Sequence, residues 1–144
     1  MTRAVLADLA RAWMRLWQGG ALTAFAALHG PDFTDMSPAG RGNDGAAFRA
    51  SIAALRDAFP DFHADIDDLV IDPAPDAEGC ARVAVRWSAT GTQTGPFMGL
   101  PPSGRAITFR GIEIIAIRHG LVRRRWGEWD SEDLARQLGR RTSG

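Results

Sequence analysis

The chain has 144 residues, 45% of them hydrophobic and 24% charged, which is typical of a single globular domain with its own core. Its 17 basic and 17 acidic side chains cancel, so no overall field attracts nucleic acid or an anionic membrane. All the basic residues are arginine, and the chain contains no tyrosine. Schiff-base chemistry on lysine and acid–base catalysis by a phenol are therefore excluded. A net charge of zero also opposes self-association little, so we expect a homodimer or a higher homo-oligomer.

The chain contains one cysteine, Cys80, so an intrachain disulfide framework and a thiolate metal cluster are excluded. We interpret Cys80 as a small semi-buried residue where a strand starts. No apolar stretch approaches the roughly 20 residues needed to span a bilayer. Acidic residues and arginine interrupt the apolar pattern at the N-terminus, unlike a signal peptide. We therefore expect a cytoplasmic protein.

The N-terminal part of the chain shows helical periodicity. Apolar residues recur at steps of three and four, which predicts one helix that ends at Gly19-Gly20; these residues are Leu6, Leu9, Trp13, Leu16 and Trp17. A second short helix is predicted over 21–28 and ends at His29-Gly30-Pro31. Residues 32–45 are rich in Gly, Pro, Asp and Ser and predict a loop with at most a short strand around Phe33. A third helix is predicted over 44–59, with Asp44 as its N-cap.

The periodicity changes to two after this third helix. Strands are predicted over 62–71, 81–90, 106–118 and 121–129. A last helix begins near Ser131, which can cap it, and ends at Gly139, with a frayed end over 140–144. Helices followed by long antiparallel strands predict an α+β fold, in which a curved sheet wraps around the N-terminal helices and encloses a pocket. The chain is predicted to form one domain over 1–144.

Several segments near the C-terminus carry a resemblance to a known family. They are Gly95-Pro96-Phe97-Met98-Gly99-Leu100-Pro101-Pro102-Ser103-Gly104-Arg105, Phe109-Arg110-Gly111-Ile112-Glu113-Ile114, His119-Gly120-Leu121-Val122, Trp126-Gly127-Glu128-Trp129-Asp130 and Gln137-Leu138-Gly139. In this order and spacing, the chain resembles the SnoaL-like polyketide cyclase, or ester cyclase, family. The resemblance implies a nuclear-transport-factor-like α+β cone. It also implies an intramolecular aldol condensation without cofactor or metal.

The resemblance implies two catalytic positions that this sequence fills differently. In the ring cyclases an aspartate late in the chain is the general base, and a histidine on the preceding strand assists it. Counted from the His119-Gly120 turn, the aspartate position falls on Gly127 and the histidine position on Glu113. Many relatives share the fold without being ring cyclases, so the fold does not fix the reaction.

Three carboxylates are therefore the candidate catalytic groups: Glu113, Glu128 and Asp130. Glu113 lies within an apolar strand, where it either faces the pocket or forms an ion pair with an arginine such as Arg86 or Arg125. Glu128 and Asp130 share one face of their strand with Trp126, and that face either lines the pocket or faces solvent. Asp130 could instead cap the last helix.

Binding candidates are the polar or large apolar residues expected around the pocket. Within the arginine run 123–125, Arg125 could hold a substrate carboxylate or enolate, although a solvated or dimer-facing surface is the simpler interpretation. His29 either bonds the last carbonyls of its helix or lies near the pocket with Asp35. The aromatic and apolar candidates are Trp13, Trp87, Phe97, Met98 and Trp126, with Phe97 and Met98 expected on a mobile lid.

Two functions stay open from the sequence. One is a cofactor-free acid–base enzyme that acts on a small hydrophobic carbonyl or polyketide-like compound. The other is a non-catalytic module of the same fold that binds a hydrophobic ligand or dimerises. No nucleic-acid, membrane or metal partner is expected, because the three histidines are too scattered to form a metal site.

Overall fold

The computed structural model describes residues 1–19 and 22–139. The predicted helix boundary at Gly20 and Ala21 and the predicted frayed end over 140–144 lie outside these residues. The helices are α1 (Arg3–Met14), α2 (Phe25–Leu28), α3 (Gly45–Ala58) and α4 (Ser131–Gln137), with short 3-10 turns at Arg15–Trp17 and Leu22–Ala24. The strands are β1 (His29–Asp35), β2 (His63–Asp72), β3 (Ala81–Thr92), β4 (Ala106–Arg118) and β5 (Leu121–Trp129).

The five strands form one curved sheet in the order β1-β5-β4-β3-β2, which confirms the α+β fold class. The four predicted strands pair as antiparallel neighbours, β2 with β3, β3 with β4 and β4 with β5. The short strand considered around Phe33 is present and longer than expected, because β1 runs from His29 to Asp35 and pairs in parallel with β5, so the predicted loop begins only after Asp35. Pro31 is tolerated there because β1 is the edge strand of the sheet.

Side-chain caps fix where α3 and α4 begin. The Asp44 carboxylate accepts a hydrogen bond from the backbone N–H of Ala47 at 2.8 Å, which confirms it as the N-cap of α3. In α4 the cap is Asp130 rather than Ser131, and its carboxylate accepts from the N–H of Asp133 at 3.1 Å. The prediction of Ser131 as the cap is therefore wrong by one residue.

The core fills the space between the helices and the concave face of the sheet. Alternate residues of β3 and β4 point inward, as the period of two predicted, and they pack against the apolar faces of α1 and α3. Large side chains with almost no exposed surface form its centre; they include Trp13, Phe48, Ile52, Phe59, Ile115 and Ile117. One carboxylate, Glu113, faces inward among them. Within the described residues, no helix combines the length and hydropathy needed to cross a membrane.

The opposite face of the sheet carries an apolar row. Val70 of β2 is registered with Ala84 of β3, Ala84 with Ile114 of β4, and Ile114 with Trp126 of β5. Val70 is 65% exposed and Ile114 38% exposed. These four residues are called the outer row below.

Candidate active site

A cavity of about 260 Å³ opens between α3, the loop after β1 and the inner face of β5. It is called the main cavity below because it adjoins the buried ion pairs. One part of its wall is polar and the other is aromatic and aliphatic. The lining residues are Trp17, Ser37, Ala39, Arg41, Phe48, Ser51, Leu55, Phe97, Arg125, Gly127, Glu128, Trp129 and Ser131. The volume is slightly below the usual range for small-molecule sites of about 300–1,000 Å³.

Asp35 organises the polar end of this cavity. The parallel pairing of β1 with β5 places Asp35 in register with Arg125, although 89 residues separate them in the chain. The Asp35 side chain is fully buried, and one carboxylate oxygen accepts from Arg125 Nη1 at 3.1 Å and from the backbone N–H of Ser37 at 3.0 Å. Its other oxygen accepts from Arg41 Nη2 at 2.6 Å. One buried carboxylate therefore holds two arginines side by side.

Arg41 reaches Asp35 because the chain turns back after β1. Ala39 and Gly40 adopt left-handed backbone conformations, with φ values of 51° and 88°. The N–H of Arg41 donates to the carbonyl of Pro38 at 3.1 Å, which closes the turn. The backbone of Asp35 is itself held by a hydrogen bond to the carbonyl of Asn43 at 2.8 Å. The loop is thus anchored at both ends around the carboxylate.

Glu113 forms the second buried ion pair of the site. Its side chain is only 1% exposed, and Arg125 Nη2 donates to its two oxygens at 2.8 and 3.3 Å. Burial raises the pKa of Glu113 to about 7, because the attraction of Arg125 offsets only part of the cost of removing the charge from water. Of the two arginines considered as the partner of Glu113, Arg125 forms the pair, while Arg86 bonds Asp68 on the outer face.

Arg125 stays charged between its two carboxylates. Burial alone lowers the pKa of Arg125, but Glu113 and Asp35 together outweigh this effect and raise it. Its Nη1 also donates to the carbonyl of Ser37 at 3.4 Å. The group is a fixed cation at the cavity wall, only 4% exposed.

Gly127 is the cross-strand partner of Glu113, and its missing side chain is what lets the ion pair form. The two residues are registered between β4 and β5. A methyl group on Gly127 would overlap Glu113 Oε2 and the guanidinium of Arg125. The Glu113 carboxylate therefore lies directly behind a residue of the cavity lining, in the space that a side chain at 127 would enter.

A second, very small cavity lies on the other side of Glu113. It measures about 10 Å³ and shares Trp17 and Trp129 with the main cavity as walls. Its remaining lining residues are Met14, Phe62, Ala64, Trp87 and Glu113. The predicted binding residue Trp87 thus lies behind the main cavity, where its ring packs against Trp129 at 5.4 Å between centroids.

Glu128, Asp130 and Trp126 are placed differently from Glu113. Strand alternation puts the Glu128 and Trp126 side chains on the outer face, opposite Ile112 and Ile114. Glu128 is exposed and still contributes to the rim of the main cavity. Trp126 lies beneath the Arg124 guanidinium, 5.9 Å from its ring. Asp130 caps α4 and pairs with Arg110 at 3.0 Å, and these contacts lower its pKa, with the N–H of Asp133 as the largest cause.

Trp13 and His29 form a buried pair in the core. The indole N–H of Trp13 donates to His29 Nε2 at 3.0 Å, and His29 Nδ1 lies 2.8 Å from the carbonyl of Phe25. Because a carbonyl only accepts, Nδ1 carries the proton and the imidazole is neutral. Burial lowers the pKa of His29 to about 4, against the opposing effect of the Phe25 hydrogen bond. The expectation that His29 bonds the end of its helix is confirmed, while a role of either residue in binding stays a prediction.

The expected lid segment is anchored at its base by a buried glutamine. Gln93, fully buried, donates from Nε2 to the carbonyl of Pro101 at 3.1 Å and accepts from the N–H of Ser103 at 3.1 Å. Phe97 lines the main cavity and packs edge-to-face on Phe59, with 5.2 Å between ring centroids. Met98, at φ 53°, is exposed at the tip. Phe97 is therefore part of the cavity wall, and mobility of the segment stays a prediction.

Sequence reasoning missed most of the polar wall. Arg41 and Ser37 follow β1 in a stretch whose composition indicated only a loop. The available signal was Arg41 between two glycines, six residues after Asp35. Trp129 could have been found from strand alternation, since it shares a face with Arg125 and Gly127.

The fold and the site together define a small α+β cone whose concave face holds a buried carboxylate–arginine pair beside a ligand-sized cavity. The sequence profile of the SnoaL-like polyketide cyclases matches residues 7–138. The chain therefore belongs to the SnoaL-like polyketide cyclase family. No curated protein matches the sequence.

Solved structures agree with this family and fold. TsrD from Streptomyces laurentii is 27% identical and superposes with a TM-score of 0.83, covering 96% of this chain and 98% of its own. IdmH from Streptomyces antibioticus, a candidate polyketide cyclase, is 25% identical with a TM-score of 0.74, over 92% of this chain and 97% of its own. A SnoaL-like polyketide cyclase from Agrobacterium tumefaciens, 23% identical with a TM-score of 0.73 over 93% of this chain and 98% of its own, shares the fold.

Proposed function

We propose that the chain is a cyclase-type enzyme that moves a proton on a small hydrophobic carbonyl compound without a cofactor, and that Glu113 is its acid–base group. The observation that carries the proposal is the buried Glu113–Arg125 pair directly behind the cavity lining at Gly127. A carboxyl group with a pKa of about 7 is suited to accept and return a proton near neutral pH.

Arg125 of the ion pair can balance the negative charge at each stage of the reaction. The Glu113 carboxylate removes a proton from the carbon next to a carbonyl, and the electron pair of that C–H bond forms an enolate on the carbonyl oxygen. Arg125, which balanced the carboxylate, then balances the enolate oxygen. The enolate carbon attacks a second carbonyl of the same molecule, a C–C bond forms, and the new alkoxide takes the proton back from Glu113. Atoms and charge balance without a further reactant.

The position of the carboxylate supports this assignment over Glu128. In the ring cyclases the aspartate position corresponds to Gly127, and the Glu113 oxygens occupy the space that a side chain at Gly127 would enter. Glu128 lies on the next, outward-facing position and is solvated.

The test compares matched isosteric variants in a proton-exchange assay. Wild-type protein is incubated in D₂O with 2,6-heptanedione, a diketone that can close into a six-membered ring, and deuterium uptake and formation of the cyclic β-hydroxyketone are followed by NMR. We expect exchange above the buffer rate, and a loss of roughly 100-fold or more in Glu113→Gln. Glu128→Gln is the control and should retain the wild-type rate. Equal rates for wild type and Glu113→Gln, wild-type exchange at the buffer rate, or a loss confined to Glu128→Gln would each contradict the proposal.

We also propose that a second copy of the chain covers the outer row. Val70 and Ile114 of the outer row and the neighbouring Ile112 are exposed apolar residues on the outer face of the sheet, at 65%, 38% and 51% exposure. Charged residues beside them, such as Asp68 and Arg86, already pair within the same chain. The face therefore brings apolar surface to a contact, with the exposed Glu128 beside Ile112 as its nearest carboxylate, and the zero net charge of the chain does not oppose it.

A further inference from the structure

The polar end of the main cavity holds more positive than negative groups in its wall. Arg41 and Arg125 both line the cavity, while Asp35 lies behind them with its two oxygens already bonded. Glu113 also lies behind the wall, and Glu128 is at the exposed rim. A ligand that enters the cavity therefore meets two guanidinium groups before it meets a buried carboxylate.

Hydrogen-bond donors remain at this end after the internal bonds are counted. A guanidinium carries five N–H donors. Within the described residues Arg41 is bonded only through Nη2, and its side chain is 30% exposed, so its Nη1 donors are left for a ligand. The Ser37 hydroxyl accepts from the N–H of Gly127 at 3.2 Å, so its own proton can be donated elsewhere.

The rest of the cavity is shaped for a flat apolar group. Trp17, Phe48, Phe97 and Trp129 line it together with Leu55. Both cations lie over the Phe48 ring, with the guanidinium carbons of Arg125 and Arg41 at 5.2 and 6.0 Å from its centroid. The aromatic part of the cavity wall is therefore in direct contact with the two arginines.

We propose that this cavity binds a flat hydrophobic carboxylic acid as its anion, with the carboxylate on Arg41, Arg125 and Ser37 and the apolar part between Trp17, Phe97 and Trp129. The inference rests on the proposed function in one respect, which is that it takes the bound acid to be the substrate of that reaction. A carboxylate matches the planar fork of an arginine, and such bonds are stronger than those to a neutral amide. A ligand anion also balances the charge of Arg125 whenever Glu113 carries a proton.

The test measures binding, so it does not depend on turnover. Naphthoate and its neutral isostere naphthamide are titrated against the full chain at pH 8, by calorimetry and by quenching of tryptophan fluorescence. We expect naphthoate to bind at least about tenfold more tightly than naphthamide. Arg41→Gln should weaken naphthoate roughly tenfold and leave naphthamide within about twofold. Arg41 is chosen because it is less buried than Arg125, and circular dichroism verifies that the variant is folded.

Arg49→Gln is the matched control, because Arg49 is an exposed arginine of α3 and its removal changes the net charge equally. It should leave both affinities unchanged. Equal affinity for the two probes, or equal losses in Arg41→Gln and Arg49→Gln, would overturn the inference. The Glu113→Gln variant separates this inference from the proposed function. If it keeps wild-type proton exchange, the proposed function fails and the carboxylate site stands; if it loses exchange and binds naphthoate, both stand.

Discussion

Replacement of Gly127 by alanine tests the geometry on which the site depends. The backbone of Gly127 lies outside the left-handed region, so alanine is compatible with its conformation. In open space such a change stabilises a protein by about 0.4–1 kcal/mol, because the unfolded chain loses freedom. At Gly127 the new methyl group overlaps Glu113 Oε2 and the Arg125 guanidinium. The sign of the effect therefore depends on whether the ion pair lies where the structure places it.

The magnitude follows from the cost of displacing that pair. Overpacking in a filled core costs about 1–3 kcal/mol. Complete loss of one partner of a buried ion pair costs about 3–5 kcal/mol, which sets the upper limit. We expect Gly127→Ala to lower the free energy of unfolding by about 2–3 kcal/mol, or the melting temperature by roughly 4–12 °C for a chain of this size.

Urea unfolding followed by tryptophan fluorescence measures the change in stability. Further variants show whether the overlap with the ion pair causes that change. Gly19→Ala is the control, since an added methyl group there meets nothing within 4 Å. In a Glu113→Ala background the cost of Gly127→Ala should fall by at least about 1 kcal/mol, because one of the overlapping groups is gone. A Gly127→Ala protein that is as stable as wild type or more stable would refute the reasoning.

Three further predictions concern pH, the loop and the outer face. The pKa of His29 falls from 6.5 to about 4 on folding, so the unfolded chain binds more protons in that window and acidification through it should remove about 3 kcal/mol of stability. The pKa of Glu113 rises from 4.5 to about 7 on folding, so its contribution to stability has the opposite pH dependence. Urea titrations of the wild type should therefore show little change in stability with pH where the two windows overlap. Stability should fall with rising pH in His29→Gln, and it should rise with rising pH in Glu113→Gln. Equal slopes in both variants would contradict these assignments. Gln93→Leu should leave the N–H of Ser103 without its partner and lower the free energy of unfolding by about 1–3 kcal/mol. It should also speed tryptic cleavage after Arg105, and unchanged cleavage would count against an anchoring role of Gln93. Sedimentation velocity should show a dimer for wild type and a monomer for Ile114→Asp, and a monomeric wild type at micromolar concentration would exclude the dimer.

The long strands were predictable because their periodicity is a local property of the sequence. Alternation along β4 placed Glu113 on the same face as Ile115 and Ile117, and the structure confirms that face as the buried one. The sequence analysis left its ion-pair partner open between Arg86 and Arg125. Arg86 lies between the buried Val85 and Trp87 of β3, so alternation places it on the outer face. Arg125 reaches Glu113 because the register of β4 with β5 sets Gly127 beside Glu113, two residues from Arg125.

The polar wall was not predictable for a physical reason. The β1 segment contains Pro31 and other residues that favour turns, and its strand conformation comes from pairing with β5, which lies about 90 residues later in the chain. A pattern within β1 cannot report such a partner. Asp35 was therefore predicted as a binding residue without its actual role, which is to hold Arg41 and Arg125 together.

Gly127 and Glu113, the two positions at which the resemblance to the ring cyclases implies an aspartate and a histidine, are a registered pair on adjacent strands and lie side by side in the sheet. Gly127 leaves space beside β5, and the Glu113 carboxylate of β4 occupies it. Arg125 lies two residues before Gly127 on the same face and bonds the carboxylate there. Glu113 is thus deeply buried and tied to a cation, and the proposed function depends on both features, because charge would pass between Glu113 and a bound enolate while Arg125 stays in place.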